Sequence, residues 1–308
     1  MDVGRYAPSP TGDLHLGNAR TALIAWLWAR HAGGRFLLRF EDLDRARVQP
    51  GCAQAQAGSL AWLGLDWDGE PVAQSERGEL YDDALASLAE RGVLYECFCS
   101  RADVRRAASA PHGPDGPLYG GVCRELSPGE RAERLALGRP PSLRVRMEGE
   151  IEFRDELAGA QRELLERTTG DIVLRRSDGV VAYQLAVVVD DAAQGVTHVV
   201  RGADLLASTA RQIRLYELLG LNPVPAYAHV PLLLGDDGER LAKRHGAVGL
   251  TELRESGADP HAVVGRLAYS AGLLERPEPC TPAELVASFD PGALERSPAR
   301  IDPASLRW

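Results

Sequence analysis

Lysine is almost missing from this chain. Of 35 basic side chains in 308 residues, all but Lys243 are arginine. Arginine is a bulky planar fork and lysine a compact point charge, so a lysine that survives such a bias marks a place where a fork will not serve. Cysteine is scarce too. Five in a chain this long do not make a disulfide scaffold. Long apolar runs are lacking near the N-terminus. The longest there, Ala22–Ala29, is too short to cross a bilayer, and no charged segment precedes it as a signal peptide requires. A soluble, cytoplasmic protein with no membrane contact is expected. There is no repeat and no block of like charge. The net charge of −9 argues against a protein that coats nucleic acid by bulk charge, yet it permits a local basic surface.

What is present is enough for one large domain with insertions, or for two domains. The hydrophobic content is 44%, and the 32 glycines and 20 prolines are spread along the chain. The stretch from Arg5 to Leu23 reads Arg-Tyr-Ala-Pro-Ser-Pro-Thr-Gly-Asp-Leu-His-Leu-Gly-Asn-Ala-Arg-Thr-Ala-Leu. It predicts a short strand, a loop punctuated by Pro8, Pro10 and Gly12, and a helix with Ala22, Leu23, Trp26 and Leu27 on one face. His15 and Gly17 then fall at the helix N-terminus, where unpaired N–H groups and the helix dipole favour an anion. Gly17 lets a flat ligand approach the backbone, and His15 can donate to a phosphate oxygen.

Arg35–Phe40 reads as a buried strand that runs into Glu41-Asp42-Leu43-Asp44. Strand, helix and strand at this spacing make a βαβ unit and a parallel sheet. Ligands in such sheets sit beyond the carboxyl ends of the strands, so Arg5, Ser9 and Glu41 are expected to point into one crevice. Helices follow at about 51–63 and 78–91, with a strand near Leu94–Phe98. From 99 to 180 the rhythm breaks into an arginine-, glycine- and proline-rich stretch with short β runs at Leu143–Val145, Ile151–Phe153 and Ile172–Arg175. Within this region Cys97-Phe98-Cys99, His112, Tyr119 and Cys123 gather three of the five cysteines, which suggests a tetrahedral zinc site. His112 is the chemically easier fourth ligand, since neutral imidazole binds zinc readily. Cys52 and Cys280 stand alone and are expected to pack. Further on, Leu206–Leu219 predicts an amphipathic crossover helix and Tyr227–Leu234 a strand. Helical text fills 251–308, at Thr251–Glu255, His261–Ala271 and Thr281–Phe289.

Pro-Ser-Pro-Thr-Gly-x-Leu-His-x-Gly-x-x-Arg-Thr-Ala-Leu resembles the "HIGH" signature of class I aminoacyl-tRNA synthetases, and its Ala-Arg-Thr-Ala-Leu continuation is similar to the glutamyl/glutaminyl branch. A second match runs from Tyr183 through Asp191, Gly195 and Arg201 to Asp204. The resemblance implies that Tyr183 and Arg201 face the amino acid. Two arginines, Arg5 and Arg201, could then grip carboxylates of glutamate, and Glu41 its ammonium group. Gly238–Gly246 resembles the "KMSKS" loop, with arginine for the first lysine and alanine for the serine. Its surviving ammonium, Lys243, would stabilise charge on separating phosphates. Tyr119-x-x-x-Cys123 is similar to the glutamyl-Q tRNA(Asp) synthetases, where tyrosine completes the zinc site. The Cys-x-His pair of zinc-binding glutamyl-tRNA synthetases is absent here.

The whole resembles the glutamyl-Q group. The implied fold is α/β, a Rossmann-type class I synthetase catalytic domain with an inserted zinc-containing subdomain and a C-terminal helical segment. The expected division is 1–98 and 181–249 for the two catalytic halves, 99–180 for the insertion and 250–308 for the helical segment, with no residues left for an anticodon-binding domain. The implied activity joins L-glutamate to ATP, with Mg2+, and passes it to queuosine at the wobble position of tRNA(Asp). His15 and Lys243 would be catalytic, and together with Gly17 would bind ATP. Arg5, Ser9, Glu41, Tyr183 and Arg201 would bind glutamate. Cys97, Cys99, Tyr119 and Cys123 would hold one structural Zn2+. Arg101, Arg105, Arg106 and Arg124, with Arg211 and Arg214, are expected to meet tRNA phosphates, and a monomer is expected. A truncated glutamyl-tRNA synthetase and a non-catalytic tRNA-binding paralogue are the alternatives. A dehydrogenase lacks support, because the first βα turn has no GxGxxG.

Overall fold

The computed structural model describes residues 1–100, 102–104, 118–234 and 249–300. Lys243, His112, Arg101, Arg105 and Arg106 lie outside the described residues. The chain begins β1 (Val3–Tyr6), α1 (Leu16–His31), β2 (Arg35–Phe40), α2 (Cys52–Trp62), β3 (Val72–Ala73), α3 (Gly78–Glu90) and β4 (Leu94–Cys97). It continues α4 (Pro128–Ala136), β5 (Ser142–Val145), β6 (Glu150–Asp155), β7 (Gly159–Leu164), α5 (Leu165–Thr168) and β8 (Ile172–Arg175). Next come α6 (Tyr183–Ala193), β9 (His198–Gly202), α7 (Thr209–Leu219), β10 (Ala226–Val230) and β11 (Leu233–Leu234). The last elements are α8 (Leu250–Glu255), α9 (Pro260–Ser270), α10 (Pro282–Val286) and β12 (Ala299–Arg300).

β1 and β2 pair in parallel as the βαβ spacing predicts, with Val3 opposite Arg35 and Tyr6 opposite Leu38, and β3 adds to β2. A second sheet runs β7-β6-β10-β9, parallel except for the β6–β7 hairpin. The two sheets meet at a seam: Thr197 N donates to Val3 O at 2.9 Å, and Val3 N donates to Thr197 Oγ1 at 2.8 Å. β1 and β9 therefore run side by side, and their carboxyl ends open at the same place. That is where a parallel α/β sheet binds ligands.

Both faces of these sheets are covered, which is why the strands read as continuous apolar runs rather than alternating ones. Phe36 and Leu38 of β2 join Leu23 and Leu27 of α1 and Val263 and Leu267 of α9 in one core. Leu37 faces the other way, toward Tyr81 of α3, Leu185 and Val188 of α6 and Tyr216 of α7. Arg20, buried on α1, donates to Pro231 O at 2.6 Å and Ser270 O at 3.0 Å, tying the signature helix to the end of β10 and to α9.

Several sequence expectations change: the helix expected over Thr281–Phe289 spans only Pro282–Val286, and β12, within the stretch expected to be helical, pairs with β11. The helix expected over Leu206–Leu219 starts at Thr209, after a 3-10 turn over Ala203–Ser208. The strand expected over Tyr227–Leu234 breaks into β10 and β11, because Pro231 has no N–H to continue a ladder. The Ile151–Phe153 run extends to Glu150–Asp155 and pairs with β10 in the second sheet. A separate antiparallel sheet, β4-β5-β8, carries the cysteine-rich region.

Gly34 sits where β2 starts against β1. A Cβ there would lie 2.3 Å from Asp2 O, whose carbonyl accepts from Arg35 N at 2.8 Å. Gly34→Ala must push this backbone apart. The expected loss is roughly 1–3 kcal/mol, the usual cost of overpacking, read as a lower urea midpoint. An unchanged midpoint would show that the seam yields freely.

Candidate active site

At the seam the structure brings seven sequence-selected residues around one cavity of about 430 Å³: Arg5, Ser9, His15, Gly17, Glu41, Tyr183 and Arg201. β1 supplies Arg5, the loop after it Ser9, the helix start His15 and Gly17, the end of β2 Glu41, α6 Tyr183 and β9 Arg201. Leu233 also lines the cavity, and Gly249 pairs with His15. Both flanks of the stretch that carries Lys243 thus meet the site.

His15 is the N-cap of α1. Its Nδ1 accepts from Gly17 N at 3.1 Å and Asn18 N at 3.3 Å, while Asn18 Oδ1 accepts from His15 N at 3.2 Å. This corrects the expectation of free amides at the helix start: the Gly17 and Asn18 N–H groups belong to the imidazole. With Nδ1 accepting, the neutral ring carries its hydrogen on Nε2, so the imidazole and the helix dipole are what remain for an anion. Gly17 is required by contact with the ring, since a Cβ would stand 3.0 Å from His15 Cε1.

Behind the cavity lies a buried charge cluster. Asp191 of α6 takes Arg5 Nε at 3.2 Å and Arg39 Nη1 at 2.8 Å. Asp190 takes Arg77 Nε at 2.6 Å, Gln74 Nε2 and the Tyr81 hydroxyl, each of the last two at 2.8 Å. Arg39, fully buried, reaches toward Glu41 at 3.6 Å. Burial opposes charge on Asp191, but Arg5 and Arg39 outweigh it and hold its carboxyl below the usual range. At Glu41 burial wins over the same cations and pushes the carboxyl up to about 7. Sequence reading named neither Arg39 nor a role for Asp191. The one available signal was an acidic pair at the end of an otherwise apolar helix.

The two arginines expected to grip carboxylates differ. Arg5 closes Nε and Nη2 on Asp191. Arg201 donates from Nε to His229 Nε2 at 3.0 Å, from Nη1 to Gln212 Oε1 at 2.7 Å, and from Nη2 to Thr209 Oγ1 at 2.9 Å and Leu205 O at 3.4 Å. Neither guanidinium is an open fork. Arg201 is nevertheless a buried cation with only neutral partners among the described residues, and such a charge favours an incoming anion.

The cysteine cluster is built as expected from spacing. The Sγ atoms of Cys97, Cys99 and Cys123 lie within 4.8 Å of one another. Cys99 and Cys123 are 3.6 Å apart, near the roughly 3.8 Å that separates thiolates on a tetrahedral zinc with 2.3 Å bonds. The Tyr119 hydroxyl is 3.4 Å from Cys97 Sγ and accepts from Cys123 N at 2.8 Å. Burial and the neighbouring thiols push Cys99 up to about 12. Weak acids crowded this way suit a cation that can take their charge. Cys52 and Cys280 lie apart: Cys280 packs against the first core, and the buried Cys52 donates its thiol to Gly12 O at 3.1 Å.

Arg124, expected at tRNA phosphates, is turned inward. It pairs with Asp171 at 2.6 Å and Glu148 at 2.8 Å. Arg211 donates to Ala207 O in the turn before its helix, and Arg214 pairs with Glu217 on the same helix. Among the described residues no helix is long and apolar enough to cross a membrane.

The seam of the parallel sheets thus joins a histidine-capped helix start to a charged cavity of about 430 Å³. The model for class I tRNA synthetases (E and Q), catalytic domain, matches residues 3–308, and the chain belongs to that family. Within it, the chain is 57% identical over 99% of its length to the glutamyl-Q tRNA(Asp) synthetase of Symbiobacterium thermophilum, covering 98% of that protein. It is 57% identical over 96% of its length to the enzyme of the same name from Nocardia farcinica, covering 92% of it. The crystal structure of glutamate-tRNA synthetase from Elizabethkingia anophelis superposes with a TM-score of 0.85 at 27% identity, over 99% of this chain and 69% of that one.

Proposed function

We propose that this protein activates L-glutamate with ATP and transfers it to queuosine at the wobble position of tRNA(Asp). The observation that carries the reading is the cavity itself, where an acidic group, Glu41, and a cation with neutral partners, Arg201, flank a histidine-capped helix start. In the first step a glutamate carboxylate oxygen bonds to the α-phosphorus of ATP, and the bond to pyrophosphate breaks. Glu41 holds the ammonium group, while Arg5, Ser9, Tyr183 and Arg201 hold the rest of glutamate. His15 and Lys243 hold the phosphates, with Gly17 leaving room beside the ring, and the helix dipole and the ammonium act where charge develops. Mg2+ bound with ATP would supply charge neutralisation for the leaving pyrophosphate. In the second step a queuosine hydroxyl attacks the activated carbonyl and AMP leaves. Proximity does much of the work, since the adenylate is already activated.

The division at 1–98, 99–180, 181–249 and 250–308 serves this reading, except that Glu150–Leu164 join the second sheet and Leu94–Cys97 the sheet of the cysteine region; the insertion's role in the reading is to meet the tRNA. Cys97, Cys99, Cys123 and Tyr119 hold one structural zinc there. The enzyme acts in the cytoplasm as a monomer. An anticodon-loop base, unlike one in a duplex, can be extruded into a crevice.

The test supplies ATP, labelled glutamate and tRNA. Label is expected on tRNA(Asp) that carries queuosine and not on the unmodified transcript, and it should survive removal of the terminal adenosine. Label on unmodified tRNA(Glu), lost when the terminal ribose is oxidised, would establish acceptor-end charging instead. For the metal, elemental analysis should find one zinc per chain, retained in His112→Ala and weakened in Tyr119→Phe; the reverse pattern would make His112 the fourth ligand, and metal-free protein would end the assignment.

Glu41 sets the acid limb. Burial pushes its carboxyl up to about 7 against the pull of Arg39 and Arg5, so its charge is lost as pH falls through that range. The KM for glutamate in pyrophosphate exchange should rise as pH falls through about 7, by as much as tenfold per pH unit for one essential proton. Glu41→Gln should give a high KM at every pH. A wild-type KM flat across this range would remove Glu41 from the ammonium site.

A further inference from the structure

His229 and Asp155 are buried, titratable and unused by the reaction just described. His229 lies on β10 directly opposite Arg201 on β9. Asp155, at the end of β6, presents both oxygens to one task. Oδ1 accepts from the amides of Leu157 at 3.0 Å, Ala158 at 2.7 Å and His229 at 3.2 Å. Oδ2 lies 2.5 Å from His229 Nδ1. Burial opposes the charge on Asp155, but the bonds from His229 and Ala158 outweigh it and hold its carboxyl low. An ionised carboxylate only accepts, so His229 must carry its hydrogen on Nδ1. Nε2 is then bare, and it accepts from Arg201 Nε at 3.0 Å. Burial, first, and the Arg201 cation keep the ring in its neutral form, against the pull of Asp155. The imidazole stacks at 10° on Tyr227, whose ring also lies under the Arg201 guanidinium at 5.3 Å.

We infer that Asp155 and His229 are a positioning pair for Arg201: the carboxylate fixes the imidazole tautomer, and the bare Nε2 aims the guanidinium at the cavity without sharing its charge with a carboxylate. The contrast with Arg5 gives the reason for an imidazole at this place. A carboxylate set directly on Arg201, as Asp191 is on Arg5, would hold the fork equally well but cancel much of its field. A neutral ring between Asp155 and Arg201 supplies the acceptor and keeps the anion one ring further from the substrate. Gln212 and Thr209 complete the cage with two more neutral acceptors. The inference rests on the reading that Arg201 meets a carboxylate of glutamate.

Two variants separate positioning from simple support. In His229→Asn the amide can still donate to Asp155 but is too short to reach Arg201. In His229→Gln the longer amide can present its oxygen to Arg201 Nε. In glutamate-dependent pyrophosphate exchange, the asparagine variant is expected to raise the KM for glutamate about tenfold or more, as when a bond to a charged group is lost. The KM for ATP should stay unchanged, and glutamine should recover most of the loss. An asparagine variant with the wild-type KM for glutamate, or a glutamine variant as impaired as asparagine, overturns the inference. If the wild type shows no glutamate-dependent exchange, the functional reading has failed instead. The pair is then judged by histidine nitrogen NMR, assigned through loss of the signal in His229→Gln. The Nδ1–H tautomer is expected in the wild type and should be lost in Asp155→Asn, whereas an Nε2–H ring in the wild type overturns the inference.

Discussion

The structure hangs on Asp191. It is a buried carboxylate on α6, held between Arg5 of β1 and Arg39 of β2. An isolated charge at such a depth would cost several kcal/mol and would neutralise itself. Two guanidinium partners keep it ionised, and in doing so they bind a helix from the second half of the chain to two strands of the first. Asp190 repeats the device one residue earlier through Arg77, Gln74 and Tyr81. Neither pair is a strong source of stability, because the desolvation of each ion offsets most of the attraction. What the pairs do supply is a geometry with few alternatives.

That geometry decides what the cavity can offer a ligand. Arg5, Arg39 and Arg77 face Asp190, Asp191 and Glu41, so the cluster is close to neutral when Glu41 is ionised. Glu41 is the member with the weakest hold: its closest cation in the cluster, Arg39, stands 3.6 Å away, and burial lifts its carboxyl to about 7. A ligand's ammonium group would supply the missing contact. Across the seam Arg201 has the opposite character, a cation among neutral acceptors. An amino acid with a spare carboxylate is complementary to that arrangement, cation toward Glu41 and anion toward Arg201. A neutral side chain would leave one end uncompensated.

Local pattern carried the first βαβ unit well. Arg35–Phe40 is the strand expected, and α1 begins beside the histidine that caps it. The cysteine cluster was legible for the same reason, since Cys-x-Cys is a short-range constraint and Cys123 follows within one small subdomain. The failures concern long-range pairing and local bonds that a side chain makes back to its own backbone. Nothing in the Ile151–Phe153 run announces that it pairs with β10 rather than within the insertion. Arg124 reads as a surface cation, yet Asp171, distant in sequence, closes on it. The amides at the start of α1 read as open, but the ring that the motif itself supplies folds back onto them. Leu206–Ser208 has the composition of a helix but forms a 3-10 turn, in which Leu205 O accepts from Arg201 Nη2 at 3.4 Å.

The arginine bias of the chain bears on this last group of surprises. A fork that makes several bonds is well suited to buried work, and Arg5, Arg20, Arg39 and Arg201 are all buried and all bonded to fixed acceptors. Such arginines are scaffold as much as site. They cannot follow a charge that moves, because each bond that fixes them would have to break. Phosphates that separate during adenylate formation need a cation that can move with them, and a compact ammonium on a flexible stem meets that need. The single lysine sits in the stretch between Leu233 and Gly249, whose two flanks touch the cavity and His15. On the proposed reading this gives a division of labour: fixed forks would define where the amino acid lies, and the one point charge would serve the part of the reaction in which charge changes place.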